Sequence, residues 1–153
     1  DPRRARQILR EIWDGSDIRR AFPPAVYFPR GFKNQAQFDQ AMAELRAALR
    51  NSGVTDGVVG VRGSSVTGIS SNSNSPRYGR LFGLGSDVDA FVISAQLSTI
   101  YGGERFVHPD DLLRDYPALE AWVDKWTREL GRDISPAVWK PGTLPNTPAI
   151  IHK

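Results

Sequence analysis

Two aspartates, Asp87 and Asp89, lie one residue apart where the stretch LFGLGSDVDAFVIS becomes apolar. In a β-strand alternate side chains point to the same face, so both carboxylates would lie on one face and Val88 on the other. Two carboxylates held this close repel each other, and one stays protonated unless a cation lies between them. Paired carboxylate oxygens suit Mg²⁺, which often binds one or two carboxylates together with substrate phosphates. The pair therefore predicts a site for Mg²⁺ or Mn²⁺ at the start of a buried strand.

A second group of chemically useful residues, Gly63, Ser64 and Ser65, follows the apolar run GVVGV. Glycine has no side chain, so the backbone can approach a ligand closely at this turn. If a helix begins here, free amide N–H groups and serine hydroxyls would point at a bound phosphate. A phosphate-binding turn beside paired carboxylates is suited to metal-assisted transfer of a nucleotidyl group.

Both groups also have a structural interpretation, which the sequence leaves open. The aspartates could cap a turn and pair with Arg77 or Arg80, and the serines could cap an ordinary strand-to-helix turn. Arg62 and these two arginines could bind phosphate, although exposed arginines are common. His108 precedes Pro109 at an expected helix start, where capping or solvent exposure is an alternative to catalysis.

The elements that must position these residues follow from apolar periodicity and from proline and glycine. Apolar residues at helical spacing in NQAQFDQAMAELRAALRNSG predict a long helix, and VDAFVI and residues 58–62 predict buried strands. Two short helices are expected in HPDDLLRDYPALEAWVDKWTREL, divided at Pro117, with Trp122 and Trp126 in the core. DISPAVW is expected to be an edge strand because it contains Pro136. The stretch SSNSNSPRYGRLFGLG is expected to be a long flexible loop.

This order of elements predicts a mixed α/β or α+β domain with a small central sheet flanked by helices. We expect one domain over residues 1–153, in which residues 32–140 form the core. Residues 1–31 would be a lead-in with a helix near residues 2–13, and residues 141–153 an extended tail in which His152 has no role. The N-terminal DPRRARQILREIW has neither a methionine nor a signal-peptide core, which favours an excised domain or a processed product.

Composition excludes several classes of protein. With 40% hydrophobic and 24% charged residues the chain has the composition of a soluble globular protein. No apolar run reaches the roughly 20 residues of a membrane-spanning helix. The absence of cysteine excludes disulfides and thiolate zinc sites, and two histidines are too few for a His-rich metal site. The net charge of +3 mildly favours a polyanionic partner.

The motif GSS...SDVDAFV resembles the nucleotidyltransferase signature of the DNA polymerase beta superfamily, in which a Gly-Ser turn precedes Asp-x-Asp on the next strand. The run FKNQAQFDQAMAELRAALRNSGVTDGVVGVRGSSVTG also resembles the C-terminal toxin domains of polymorphic, filamentous-haemagglutinin-like or contact-dependent growth-inhibition exoproteins. The resemblance covers residues 32–94. Between Ser64 and Asp87 lie 22 residues, so the loop SNSNSPRYGR would be an insertion.

The resemblance implies roles for particular residues. Asp87 and Asp89 would bind the metal and, with Asp133 as a third carboxylate, form the catalytic set. The residues that would bind the nucleotide are Gly63, Ser64, Ser65, Arg77 and Arg80. The implied activity is an interbacterial toxin that transfers NMP from an NTP to RNA, with tRNA as one acceptor, or to protein.

The resemblance also implies partners and a location. A secreted or cell-surface exoprotein would deliver the domain to the cytoplasm of a target bacterium, and a cognate immunity protein would bind the monomeric toxin as a heterodimer. Two other functions stay open. One is a metal-independent toxin ribonuclease that uses His108 with a lysine or arginine and a threonine or serine. The other is a non-catalytic module that binds nucleic acid or a partner.

Overall fold

A computed structural model of the chain describes residues 28–70, 74–76 and 78–153. The helix expected near residues 2–13, and Arg77, lie outside these residues. The described residues form five helices and one five-stranded mixed sheet, which confirms the α+β class. In chain order the elements are α1 (Gln35–Asn51), β1 (Val58–Arg62), α2 (Ser64–Thr67), β2 (Val88–Ile93), α3 (Ala95–Ile100), β3 (Phe106–Val107), α4 (Pro109–Asp115), α5 (Pro117–Leu130), β4 (Ile134–Trp139) and β5 (Ala149–His152).

The strands of the sheet lie in the order β3-β4-β2-β1-β5. β1 is antiparallel to both β2 and β5, β4 is parallel to β2, and β3 is antiparallel to β4. Parallel neighbours need a long crossover, and the chain between β2 and β4 supplies it with three helices and the short strand β3. The strand that carries Asp89 therefore lies in the middle of the sheet.

The long helix α1 forms as its apolar spacing predicts. Asn34 caps it by accepting a hydrogen bond from the backbone N–H of Gln37 at 2.8 Å, and Gly53 follows its end with a φ of 87°. The stripe that faces the core is fully buried and consists of Phe38, Met42, Leu45 and Leu49. None of the helices in the described ranges has the combination of length and apolar character needed to cross a membrane.

The helix α5 also agrees with the sequence prediction. Pro117 is its first residue, and Gly131 ends it in the left-handed conformation with a φ of 67°. Trp122 and Trp126 are buried in the core, and the indole N–H of Trp122 donates to the carbonyl oxygen of Ala41 in α1 at 2.9 Å. The two tryptophans thus hold α5 against α1 and the sheet.

The two faces of the sheet differ in character. Alternate residues on one face join the core beneath α1 and α5: Val59, Val61, Val88, Ala90, Val92, Ile134 and Val138. The intervening residues point to the opposite face, which carries Arg62, Asp89 and Ser135. The polar side chains of β1, β2 and β4 therefore lie on the face that α1 and α5 do not cover.

The predicted edge position of the DISPAVW strand is wrong, since β4 lies between β3 and β2. β3 has only two residues, and it pairs with Val138 and Trp139 of β4. At Pro136 the only paired neighbour is β2, so the missing N–H of proline interrupts no pairing on the other side. The edge character that Pro136 predicts is thus local to half of the strand.

The tail is extended only at its end, where β5 pairs with β1; a turn at residues 141–142 and bends at residues 144 and 146–147 precede it. His152, expected to have no role, is an anchor in this strand. Its Nδ1 lies 2.6 Å from Nη1 of Arg46 and its Nε2 lies 2.9 Å from Oδ1 of Asp39, both in α1. Because arginine can only donate, Nδ1 accepts and Nε2 carries the proton. These two contacts attach the tail to α1, which covers the face of the sheet opposite to Asp89.

Candidate functional site

The Gly-Ser turn lies directly beside the strand that carries the aspartates. β1 ends at Arg62, which pairs with Asp89 across the antiparallel ladder. Gly63 follows with a φ of 83° and caps α2, which begins at Ser64. A Cβ atom placed on Gly63 would lie 2.7 Å from Oδ2 of Asp89, so the carboxylate would have to move. The absence of a side chain at Gly63 is therefore what allows the turn to approach the carboxylate.

The two aspartates lie as the strand alternation predicts. Asp87 directly precedes β2 and Asp89 is its second residue, and both are exposed while Val88 between them is buried. Desolvation by the surrounding protein raises the pKa of Asp89, the positive charge of Arg62 opposes this, and the negative charge of Asp87 adds to it. The ionised pair is therefore electrostatically costly, and a cation between the two groups would relieve the cost.

Three polar side chains form a row across the sheet beside this pair. Arg62, Asp89 and Ser135 are register partners on β1, β2 and β4. The Arg62 guanidinium donates from Nη2 to Oγ1 of Thr147 at 2.9 Å and lies 5.6 Å from the centre of the Trp139 ring. These contacts fix a cation beside the carboxylate. Arg62 is a candidate from the sequence, whereas Ser135 is not, because only the register of β4 places it beside Asp89.

This row forms part of the wall of a pocket of about 430 Å³ on the uncovered face. The remaining wall includes Phe106, His108 and Trp139. His108 caps α4, and its Nδ1 accepts the backbone N–H of Asp110 at 3.1 Å, which confirms the capping role expected from the sequence. The same residue nevertheless lines the pocket, so capping does not remove it from the site.

Asp133 does not form a three-ligand site with the aspartate pair. It is exposed and directly precedes β4, and its carbonyl oxygen accepts the backbone N–H of Val88 at 2.9 Å. Among the residues that the structure describes, no group of three histidine, aspartate or glutamate side chains is arranged to hold a metal ion. Two carboxylates on one face still fit Mg²⁺, because substrate phosphates and water can supply the remaining oxygen ligands.

The two serines of the turn differ in what their hydroxyls do. Ser65 is buried, and its hydroxyl donates to the carbonyl oxygen of Arg30 at 2.5 Å. The backbone N–H of Arg30 donates in turn to the carbonyl of Ser65 at 2.8 Å. The Ser65 hydroxyl is therefore engaged in holding the preceding chain. Ser64 is half-buried at the start of α2, and its predicted contact with a nucleotide stays a prediction.

The chain between the Gly-Ser turn and the aspartates was expected to be a flexible loop over its whole length. In the structure its two ends are hydrogen-bonded to each other near Ser70 and Arg80. Backbone N–H groups of Ser70 and Gly79 donate to the carbonyls of Arg80 and Ser70 at 2.9 and 2.8 Å. An isolated bridge between Ile69 and Leu81 completes this neck. The neck fixes where the chain leaves and rejoins the site. Arg80 is exposed beside it, and its role in nucleotide binding stays a prediction.

Arg132 positions the approach to the aspartates and was missed by sequence analysis. Its Nη1 donates to the carbonyl oxygens of Gly83 and Ser86 at 3.0 and 3.1 Å. Its guanidinium also lies 4.6 Å from the centre of the Phe82 ring. Arg132 thus holds the turn that leads into Asp87. The only signal in the sequence was its place beside the helix-ending glycine, which does not reveal its distant partners.

The site combines a glycine turn, paired carboxylates and a fixed arginine, and Arg62 and Asp89 also line the adjoining pocket. No family model matches the chain, and no curated protein or solved structure matches it either. A function is therefore inferred from the residues of this chain and their geometry.

Proposed function

We propose that the chain is a metal-dependent nucleotidyltransferase that transfers NMP from an NTP to RNA, with tRNA as one acceptor, or to protein. The observation that carries this proposal is the approach of Gly63 to Asp89, where a Cβ would lie 2.7 Å from Oδ2. It brings a turn suited to phosphate and a carboxylate suited to a metal to one point. Neither motif alone would support the assignment.

The charges at the site support binding of a triphosphate. Mg²⁺ or Mn²⁺ held by Asp87 and Asp89 would neutralise phosphate charge and polarise the reacting phosphoryl group. Arg62 adds a fixed positive charge on the same row, next to Asp89. Gly63 leaves space for phosphate oxygens at the turn, and Ser135 presents a hydroxyl on the other side of Asp89. The chain's own residues thereby orient the triphosphate along one face of the sheet.

A toxin role for this activity is supported by the resemblance of residues 32–94 to exoprotein toxin domains. In that role the domain would come from a secreted or cell-surface exoprotein and would act in the cytoplasm of a target bacterium. The producer would need an immunity protein, and occlusion of the site is the simplest means of inhibition. Arg80 is exposed beside the neck formed by Ile69 and Leu81, and it is suited to pair with an acidic inhibitor.

The proposal is tested with the purified protein, labelled NTPs, total tRNA and Mg²⁺. We expect label to be incorporated into RNA, and incorporation to stop when EDTA is added. The double variant Asp87→Asn with Asp89→Asn should lose at least 100-fold in rate, about 2.7 kcal/mol, because asparagine keeps the shape but loses the charge that binds the metal. Full activity in a folded double variant, shown by circular dichroism, would refute the metal site.

A metal-independent ribonuclease is a second candidate because the pocket brings His108 together with Arg62 and Asp89. A histidine, a carboxylate and an arginine can serve as acid, base and phosphate stabiliser in RNA cleavage. Cleavage that persists in EDTA and is lost in His108→Ala would favour this function. RNA binding with neither incorporation nor cleavage would favour a non-catalytic module.

A further inference from the structure

An aromatic wall, formed by Phe106, His108 and Trp139, closes one side of the pocket. The rings of Phe106 and Trp139 have centroids 4.7 Å apart and are tilted by 49°. The Phe106 and His108 rings meet edge to face, with centroids 6.4 Å apart. Phe106 is 40% exposed and lines the pocket, so part of its ring is accessible to a ligand there.

The aromatic wall lies next to the row of Arg62, Asp89 and Ser135. The Arg62 guanidinium lies over the Trp139 ring, with 5.6 Å between the guanidinium carbon and the ring centre. Between the wall and Asp89 the pocket is lined by the small residues Ser135 and Ala137 of β4. The Arg62 guanidinium therefore lies at the aromatic wall, whereas Asp89 lies beside Ser135, further along β4. The pocket's volume of about 430 Å³ lies within the range of roughly 300–1,000 Å³ that is typical of small-molecule sites.

We propose that the aromatic wall binds the nucleobase of the NTP, while the triphosphate lies toward Arg62 and Asp89. This inference rests on the proposed function, since it names the part of the site that holds the base. Every base has a π-face, so stacking on Phe106 would bind all four NTPs. His108 uses Nδ1 to accept the Asp110 N–H, so Nε2 carries a proton that can be donated to an acceptor atom of the base.

The test measures the binding of ATP and of inorganic tripolyphosphate by calorimetry in the presence of Mg²⁺. Phe106→Ala should weaken ATP binding at least tenfold, about 1.4 kcal/mol, and should leave tripolyphosphate binding unchanged. Phe106→Trp keeps an aromatic face and should hold ATP within about threefold of the wild-type affinity. Because Phe106 is partly exposed at the edge of the sheet, these variants should fold, which circular dichroism would verify.

Ile100→Ala is the matched control, since Ile100 is 62% exposed and does not line the pocket. It should leave both affinities unchanged. If ATP binds and Phe106→Ala does not weaken it, the inference is overturned and the proposed function stands. The inference is also overturned if the variant weakens only the binding of a single-stranded RNA, because the wall then serves the acceptor. If neither ATP nor tripolyphosphate binds the wild type, the proposed function fails and the inference fails with it.

Discussion

Ionisation of Asp89 is opposed by its own surroundings, because burial and the neighbouring Asp87 raise its pKa by more than Arg62 lowers it. A group at this position acts against stability when no ligand is bound, since the folded state must hold a charge that solvent would hold better. A carboxylate in this position is suited to binding a cation, since a nearby positive charge would remove the cost of ionisation. The conflict between stability and function at Asp89 can be measured.

We predict that Asp89→Asn is more stable than the wild type at pH 7 in EDTA. The unfolded carboxyl ionises near 3.8 and the folded one at a higher pH, so wild-type stability falls as pH rises through that window. Asparagine does not ionise, so the extra stability of the variant should vanish well below pH 3.8. There Asp89 is protonated in both the folded and the unfolded wild type. Thermal unfolding from pH 3 to pH 8 measures the difference. A variant that is less stable than the wild type at pH 7 would contradict the direction of the shift.

Gly63 offers a second test at the scale of one residue. Gly63→Ala introduces a Cβ 2.7 Å from Oδ2 of Asp89, so the carboxylate must move and NTP affinity should fall at least tenfold, about 1.4 kcal/mol. Gly53→Ala is the control, because Gly53 has a similar φ of 87° but no atom within 4 Å of the added Cβ. Gly63→Ala should also lose about 1–3 kcal/mol of stability, because its φ of 83° with a ψ of −152° is a conformation that side chains rarely adopt. Calorimetry with ATP separates them, and equal affinities would show that the turn has only a structural role.

At the scale of elements, the helix α5 and the strand β2 are linked through Arg132. Arg132→Ala removes both hydrogen bonds to the turn before Asp87 and should lower the free energy of unfolding by about 2 kcal/mol. NMP transfer should slow by at least tenfold, because Asp87 loses its fixed approach. Arg128→Ala, an exposed arginine in the last turn of α5, should change neither. Unchanged transfer in a folded Arg132→Ala protein would mean that the turn holds its shape without the guanidinium.

The helices and strands differ in how far the sequence alone predicts them. α1, β1 and β2 were predicted because apolar periodicity and glycine are local signals that tertiary contacts here reinforce. The placement of β4 failed because the edge rule for Pro136 assumes full-length neighbours, and β3 reaches only the end of β4. The role of His152 in β5 depends on pairing with a strand about 90 residues earlier, which no local pattern reveals.

The candidate site also contains some features that local sequence signals predict and others that depend on distant strand pairing. The meeting of Gly63 with Asp89 could be predicted because the two motifs end one strand and begin its neighbour. Ser135 and the aromatic wall could not, since they reach the site through a parallel crossover whose register is not written in any short stretch. The candidate residues could therefore be proposed from the sequence, but the pocket that Arg62 and Asp89 line could not.

At the scale of the whole molecule, the sheet separates the side covered by α1 and α5 from the side that carries the candidate site. The net charge of +3 is too small to steer RNA by itself, so local charges should decide where it binds. Arg62→Gln should reduce the slope of log affinity against log salt by about 0.7 for a single-stranded RNA, as expected for one lost phosphate contact. Arg50→Gln, at the exposed end of α1, should leave the slope unchanged. Fluorescence anisotropy between about 50 and 300 mM salt measures both, and equal slopes would place RNA elsewhere.

The paired neck at Ile69 and Leu81 has an evolutionary consequence. The neck fixes both ends of the loop between Ile69 and Leu81. The loop can therefore lengthen, shorten or diverge with little effect on the distance between Gly63 and Asp89. Selection by a partner could then act on the tip while the chemistry at its base is conserved. Descendants of this chain would be recognised by the two motifs and the neck between them, and not by any fixed number of residues separating the motifs.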